Sequence, residues 1–155
     1  MPGVVPQDIM DAILQRLRTT ECAQLFGDTW DASTQLGIQK FYADYADSTS
    51  YPLAIATEPQ ESYQFMTASA GNEIPYLADG LIAVTVQATD RYQARVLAKA
   101  VARALNDAPL VWVGSQLMYF RLFQAAFIPN PPTAAGTPTV FLRQITFSYE
   151  TQEQL

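Results

Sequence analysis

The chain has 155 residues, of which 49% are hydrophobic, and a formal net charge of −6 from nine basic and fifteen acidic residues. We expect one domain over residues 1–155, because a chain of this length can bury a substantial core. The acidic balance argues against nucleic-acid or anionic-lipid binding as the main role, since both need a concentrated positive surface. The single cysteine excludes an intramolecular disulfide, and no apolar run approaches the roughly 20 residues needed to span a bilayer.

Two helical segments are predicted at the start of the chain. Ile9, Ile13 and Leu17 recur at intervals of four, which predicts an amphipathic helix over residues 7–18. A short helical turn over residues 20–26 is expected next, and the glycine that follows is a typical helix end. The apolar neighbours of Cys22 in this turn favour a buried, unreactive thiol.

An irregular stretch and a first β region follow. Residues 28–50 are expected to form a surface connection, with a short strand near residues 38–42. Residues 51–57 predict a strand with a proline near its start, where a missing N–H is tolerated. Residues 61–67 are either the hairpin partner of this strand or its continuation, and residues 68–76 have the composition of a loop.

A strand and a helix are then predicted in direct succession. Residues 81–89 alternate between two faces, one of them apolar. Asp90 is suited to cap a helix over residues 90–106, because Gln93 stands three residues later as in a capping box. An apolar stripe follows this helix and comprises Ala94, Leu97, Ala98, Val101, Ala104 and Leu105.

The C-terminal part is predicted to be mostly β. Residues 110–113 and 116–127 form the next β region, and residues 140–150 form the last strand. A proline-rich loop over residues 129–138 separates them, because prolines cannot continue a β ladder. Residues 151–155 are expected to be a polar tail. The order of elements predicts an α+β fold, in which two helices pack on a mainly antiparallel (mixed) sheet of four to five strands.

Residue types for most catalytic and metal chemistry are missing. The chain has no histidine, which removes the usual general base and, with one cysteine, excludes a structural zinc site. No glycine-rich stretch joins a strand to a helix as a phosphate loop does. The pairs Asp28/Asp31 and Asp44/Asp47 lack the dense oxygen spacing of a calcium loop, so solvated charge is the favoured interpretation. We therefore expect no enzymatic activity, no cofactor and no bound metal.

The second predicted helix carries a basic stripe, formed by Arg91, Arg95, Lys99 and Arg103. A spacing of four places these side chains in one sector, opposite the apolar stripe. The stripe is a solvated outer face, a subunit interface that pairs with acidic residues of a neighbour, or a DNA contact. Four cations on an acidic domain make a weak footprint for DNA.

Aromatic residues predict apolar surface on both faces of the C-terminal strands. Tyr119, Phe120 and Phe123 lie in one strand and place aromatic rings on both of its faces. Two helices cover one face of a sheet. Either residues 28–76 cover the other face or that face forms a subunit interface.

The proline-rich loop is a second candidate contact region. It is longer than a tight hairpin needs, and no charge occurs from Ile128 through Val140. It is either a spare surface loop or a segment that becomes ordered against a partner. The residues considered for partner contact are Asn130, Pro131, Pro132, Thr133, Gly136 and Pro138.

The chain resembles the small tail-completion proteins of siphophages and prophages, a family that includes tail terminators and head-to-tail joining proteins. An Ile/Val/Thr strand leads into "ATDRYQARVLAKAVARALNDAPL", and the closing strand is "VFLRQITFSYE". The N-terminal "IMDAILQRL" and the following "LFGD" also match. The resemblance covers the first helix and residues 77–150, whereas residues 29–50 depart from the family in length.

This resemblance implies a structural virion protein that forms a ring, commonly a hexamer. The ring would cap the tail tube and join it to the neck or connector after assembly in the host cytoplasm. Its implied partners are further copies of the chain, the tube protein and neck proteins; DNA would only pass through, and no membrane is involved. The alternatives are another neck or tail component, such as a stopper or tube-like protein, and a cellular non-catalytic α/β ligand-binding domain.

Overall fold

The computed structural model describes residues 5–46, 50–65, 75–128 and 139–154. In these residues the helices and strands follow one another in the order α, α, β, β, β, α, β, β. They are α1 (Ile9–Arg18), α2 (Cys22–Phe26), β1 (Phe41–Ala43), β2 (Leu53–Phe65), β3 (Pro75–Ala88), α3 (Arg91–Leu105), β4 (Ser115–Ile128) and β5 (Phe141–Gln154). The predicted α+β class is confirmed.

The strands form one five-stranded sheet in the order β1-β2-β3-β5-β4. β1 pairs with β2 in parallel, and the other three pairings are antiparallel. The sheet is therefore mixed but mainly antiparallel, as predicted. β4 is the long edge strand at one end, while the short β1 pairs only with residues 54–56 of β2 at the other.

Helices α1 and α3 lie on one face of the sheet and contact it through apolar side chains. α3 begins at Asp90, whose carboxylate accepts a hydrogen bond from the backbone N–H of Gln93 at 2.9 Å, as the capping-box pattern predicts. Its whole apolar stripe is buried. The sheet contributes Val84, Phe120 and Phe147 to the same core.

Residues 110–113 are not the strand that their apolar character predicts. Leu110 and Trp112 are buried in the core, but Leu110 N–H donates to the carbonyl of Ala108 and Val113 N–H donates to that of Pro6. These hydrogen bonds use backbone N–H groups that would otherwise pair with a neighbouring strand. This apolar run is therefore a connection whose alternate residues, Leu110 and Trp112, pack against the core.

Two further predictions about strand ends are wrong. Residues 151–154 belong to β5 instead of a polar tail, and Thr151 is buried where it pairs with Ala78. Pro75 and Tyr76, predicted as loop, begin β3. The two segments pair with each other across β3 and β5, and pairing between distant segments leaves no local signal in the sequence.

Of the two alternatives for the segment after Pro59, a hairpin partner or a continuation of the preceding strand, the structure shows the continuation. β2 runs on through Glu61, and its pairing with β3 shifts register between Thr57 and Gln60. The shift falls at Pro59, which has no N–H to donate to the β ladder.

Candidate subunit interface

The four basic side chains of α3 are all exposed. Arg103 lies 3.8 Å from the carboxylate of Glu21, and both side chains are mostly in solvent, so this ion pair contributes little. Arg91, Arg95 and Lys99 belong to none of the ion pairs formed by the described residues. The structure thus keeps the stripe out of the core and leaves most of its charge uncompensated.

The C-terminal end of α3 is joined to the edge strand β4. The side-chain oxygen of Asn106 accepts a hydrogen bond from Leu122 N–H at 2.9 Å, and Asp107 N–H donates to the Phe120 carbonyl at 2.8 Å. Lys99 and Arg95 precede Asn106 by about two and about three turns of α3, so these three residues lie close to one line along the helix. The end of this line and the edge strand therefore form one surface.

β4 exposes large apolar side chains on this surface. Its pairing with β5 shifts register between Leu117 and Tyr119 and again between Leu122 and Gln124, which leaves Met118 and Phe123 outside the regular alternation. Met118 is 54% exposed and Phe123 is 61% exposed; Leu122 and Phe127 are also exposed. A long edge strand with apolar side chains in solvent is typical of a surface that another chain covers.

Two arginines stand beside aromatic rings on β4 and β5. The guanidinium of Arg143 lies 5.4 Å from the centre of the Phe127 ring, and that of Arg121 lies 5.8 Å from the Tyr119 ring. Arg121 is also 3.5 Å from Asp107, with both groups exposed. These contacts add positive charge to the apolar edge. We name α3 from Arg91 to Lys99 together with β4 the basic edge.

The opposite end of the sheet is acidic. Asp44 follows β1, and its carboxylate accepts a hydrogen bond from Glu58 N–H at 2.9 Å where β2 is irregular. Burial raises the pKa of Glu58, and the nearby Asp44, Asp8 and Glu61 raise it further. Asp44 and Glu58 are therefore neighbours, and we name Asp8, Asp44, Glu58 and Glu61, with the exposed Tyr45 and Tyr63, the acidic edge.

Glu61 also stabilises the sheet from this edge. Both of its oxygens accept hydrogen bonds, one from the Tyr149 hydroxyl in a very short bond and the other from the Tyr63 hydroxyl at 2.6 Å. Tyr149 reaches Glu61 across Gly80, where any Cβ would overlap its ring. Sequence analysis missed this arrangement, although a glycine inside a strand is a known sign of close approach.

The two members of the pair Asp28/Asp31 lie in different environments. Asp28 is buried instead of solvated, and its carboxylate accepts hydrogen bonds from the backbone N–H groups of Lys40 at 2.8 Å and Trp30 at 3.2 Å. Asp31 is exposed and accepts from Ser33. Asp47 lies outside the described residues. Among the residues that the structure describes, no cluster of three or more His, Cys, Asp or Glu could hold a metal ion.

Arg18 of α1 is the counter-ion of the buried Asp28 carboxylate. The Arg18 guanidinium lies 4.0 Å from the Asp28 carboxylate and donates to the carbonyl of Phe41 at 2.8 Å. Burial lowers the pKa of Arg18, and the charge of Asp28 opposes that change. Cys22 is a buried thiol, as expected, and burial raises its pKa.

The candidate loop residues Asn130, Pro131, Pro132, Thr133, Gly136 and Pro138 lie outside the described residues, so their role stays a prediction. The loop connects the neighbouring antiparallel strands β4 and β5. Among the described residues, none of the helices is long and apolar enough to cross a membrane.

No family model matches the sequence, and no curated protein matches it. The fold is similar to that of a chain in the virion of a native gene transfer agent particle, with a TM-score of 0.55 and 17% sequence identity. The similarity covers 95% of this chain and 95% of that chain. At this identity the comparison establishes a shared fold.

Proposed function

We propose that this chain is a structural protein of a phage-like particle, which forms a homo-oligomeric ring at the end of the tail tube and joins it to the neck. The observation that carries the proposal is the fold shared along 95% of both chains with a component of a gene transfer agent virion. A likeness that covers nearly all of both chains favours a similar structural role.

The surface chemistry supports a role in assembly. The basic edge combines unpaired cations with exposed aromatic and aliphatic side chains, as protein interfaces often do. The absence of histidine from the sequence removes the commonest catalytic base. These features favour a non-enzymatic protein that binds copies of itself and other particle proteins.

The experiment is deletion of this gene from a strain that produces the particle, with re-expression of the wild type as control. Electron microscopy should show heads and tails that fail to join, or tails of irregular length. Normal, joined particles in the deletion strain would overturn the proposal.

Quantitative mass spectrometry of purified particles separates the ring from other tail components. A cap is expected at the copy number of one ring, far below that of the tube protein. A copy number that scales with tail length would identify a tube subunit instead. A protein that stays on isolated heads after the tails are sheared off would be a stopper.

A further inference from the structure

Acidic and basic residues are segregated along the chain. Residues 41–90 contain seven acidic residues and no basic one, whereas residues 91–128 contain five basic residues and one acidic one. The first segment supplies β1, β2 and β3, and the second supplies α3 and β4. Asp44, Glu58 and Glu61 of the first segment lie at the β1–β2 end of the sheet, and Arg121 of the second lies on β4 at the other end, with Asp79 on the central strand β3 between them.

The strand order maximises that separation. β1 and β2 lie at one end of the sheet and β4 at the other, with β3 and β5 between them. At about 4.8 Å between neighbouring strands, the two edges face opposite directions across the width of the molecule. Each edge is therefore free to contact a different neighbour.

The acidic edge has no basic counterpart within the chain. The ion pairs of the described residues are Arg18–Asp28, Arg103–Glu21 and Arg121–Asp107, and all nine basic residues lie in the described part. Asp8, Asp44 and Glu58 are exposed and take part in none of them. Mutual repulsion of these carboxylates would be relieved by cations from another molecule.

We propose that the basic edge of one copy of this chain packs against the acidic edge of the next copy, in a head-to-tail contact that repeats around the ring. The proposal rests on the proposed function, since it assigns the contact by which that ring closes. A two-fold contact between identical edges would place like charges together, which is unfavourable. The contact of unlike edges avoids this cost and generates a closed ring when the rotation per subunit allows it.

Apolar groups on the two edges are also complementary. Leu122, Phe123 and Phe127 are exposed on the basic edge, and Tyr45 and Tyr63 are exposed on the acidic edge. Burying these rings would supply an apolar centre, while the charged groups around it would fix the orientation of the two subunits.

The test changes the charge of each edge separately and then of both together. Arg95→Glu/Lys99→Glu replaces two cations of the basic edge with carboxylates. Thr57→Lys/Glu58→Lys places two cations on the acidic edge, at Glu58 and at its exposed neighbour Thr57. All four side chains are exposed, so each variant is expected to fold. Sedimentation velocity and native mass spectrometry measure assembly, and urea unfolding confirms the folded state.

Each double variant should raise the concentration needed for ring assembly by about tenfold or more, because the attraction between the two edges is lost at every contact. The quadruple variant should regain much of the assembly, because the new carboxylates on α3 then face the new cations on β2. The controls Gln24→Glu/Ala32→Glu and Gln24→Lys/Ala32→Lys change the charge of exposed positions between α1 and β1. They should assemble as the wild type does.

The outcomes separate this inference from the proposed function. If the wild type forms rings and the double variants match it, or the quadruple variant stays monomeric, the edge assignment is wrong while the ring stands. If the wild type forms no ring at any concentration or ionic strength, and particles carry fewer copies than a ring needs, both fail.

Discussion

The β1 edge of the sheet is held by contacts within the chain, whereas the β4 edge leaves large apolar side chains in solvent. Near β1, the buried carboxylate of Asp28 binds the backbone of the connection and lies beside Arg18 of α1. On β4, Phe123 is mostly exposed although Phe120, three residues earlier, is fully buried. The connection before β1 is thus held by contacts within the chain, whereas β4 places exposed rings next to buried ones.

The largest difference in the free energy of unfolding is expected between substitution of Phe120 and substitution of Phe123. Phe120→Ala should lower the free energy of unfolding by about 3–5 kcal/mol, because the buried ring stacks on Phe147 with centres 5.0 Å apart. Phe123→Ala should change it by less than about 0.5 kcal/mol in the monomer, because that ring is already in solvent. Urea unfolding at low protein concentration measures both, and equal losses would contradict the comparison.

Loss of the Asp28 carboxylate should destabilise the connection that precedes β1. Asp28→Ala should cost about 2–3 kcal/mol in urea unfolding, because the N–H of Lys40 loses a charged acceptor and Arg18 loses its counter-ion. Asp31→Ala is the matched control; its exposed carboxylate accepts hydrogen bonds from the adjacent turn, so this variant should cost clearly less than Asp28→Ala. A similar cost for the two variants would show that the edge does not depend on the buried carboxylate.

Gly80→Ala should have an intermediate effect near the acidic edge. The new Cβ would overlap the Tyr149 ring and displace its hydroxyl from Glu61, at a cost of about 1–3 kcal/mol. The same substitution in a Tyr149→Ala background should cost much less, because the overlapping ring is gone. A double-mutant cycle of unfolding free energies measures this coupling, and additive effects would rule out the close approach.

The smallest effect should come from Glu58, and it has a definite sign. Its folded-state pKa is raised above the ordinary value of 4.5, so its contribution to stability is present at low pH and is lost as pH rises through the raised pKa. Glu58→Gln should therefore slightly stabilise the protein at pH 7 and leave it nearly unchanged at pH 4.

Asp31 provides the opposite case for the same measurement. Hydrogen bonds from Ser33 lower the pKa of Asp31, so its contribution is present above the ordinary value of 3.8 and is lost as pH falls. Asp31→Asn should therefore weaken the protein at pH 7, with less effect at low pH. Thermal unfolding across this pH range should give opposite signs for the two variants at pH 7.

The candidate site was predictable only where its residues are close in sequence. The spacing of four from Arg91 to Arg103 placed the basic stripe on the solvent side of its helix, because helical periodicity is local. The apolar half of the basic edge was not predictable. Two register shifts in β4 decide which side chains leave the alternation, and register depends on the neighbouring strand.

Apolar periodicity along the chain, with the cap at Asp90, was enough to predict the helices, most strands and the α+β class. The burial of Asp28 and the approach of Asp44 to Glu58 follow instead from how the segments pack in three dimensions. Those residues are far apart in the chain, and pairing between distant segments brings them together. Charge and burial at such places depend on which strands become neighbours, and a local pattern carries no information about that choice.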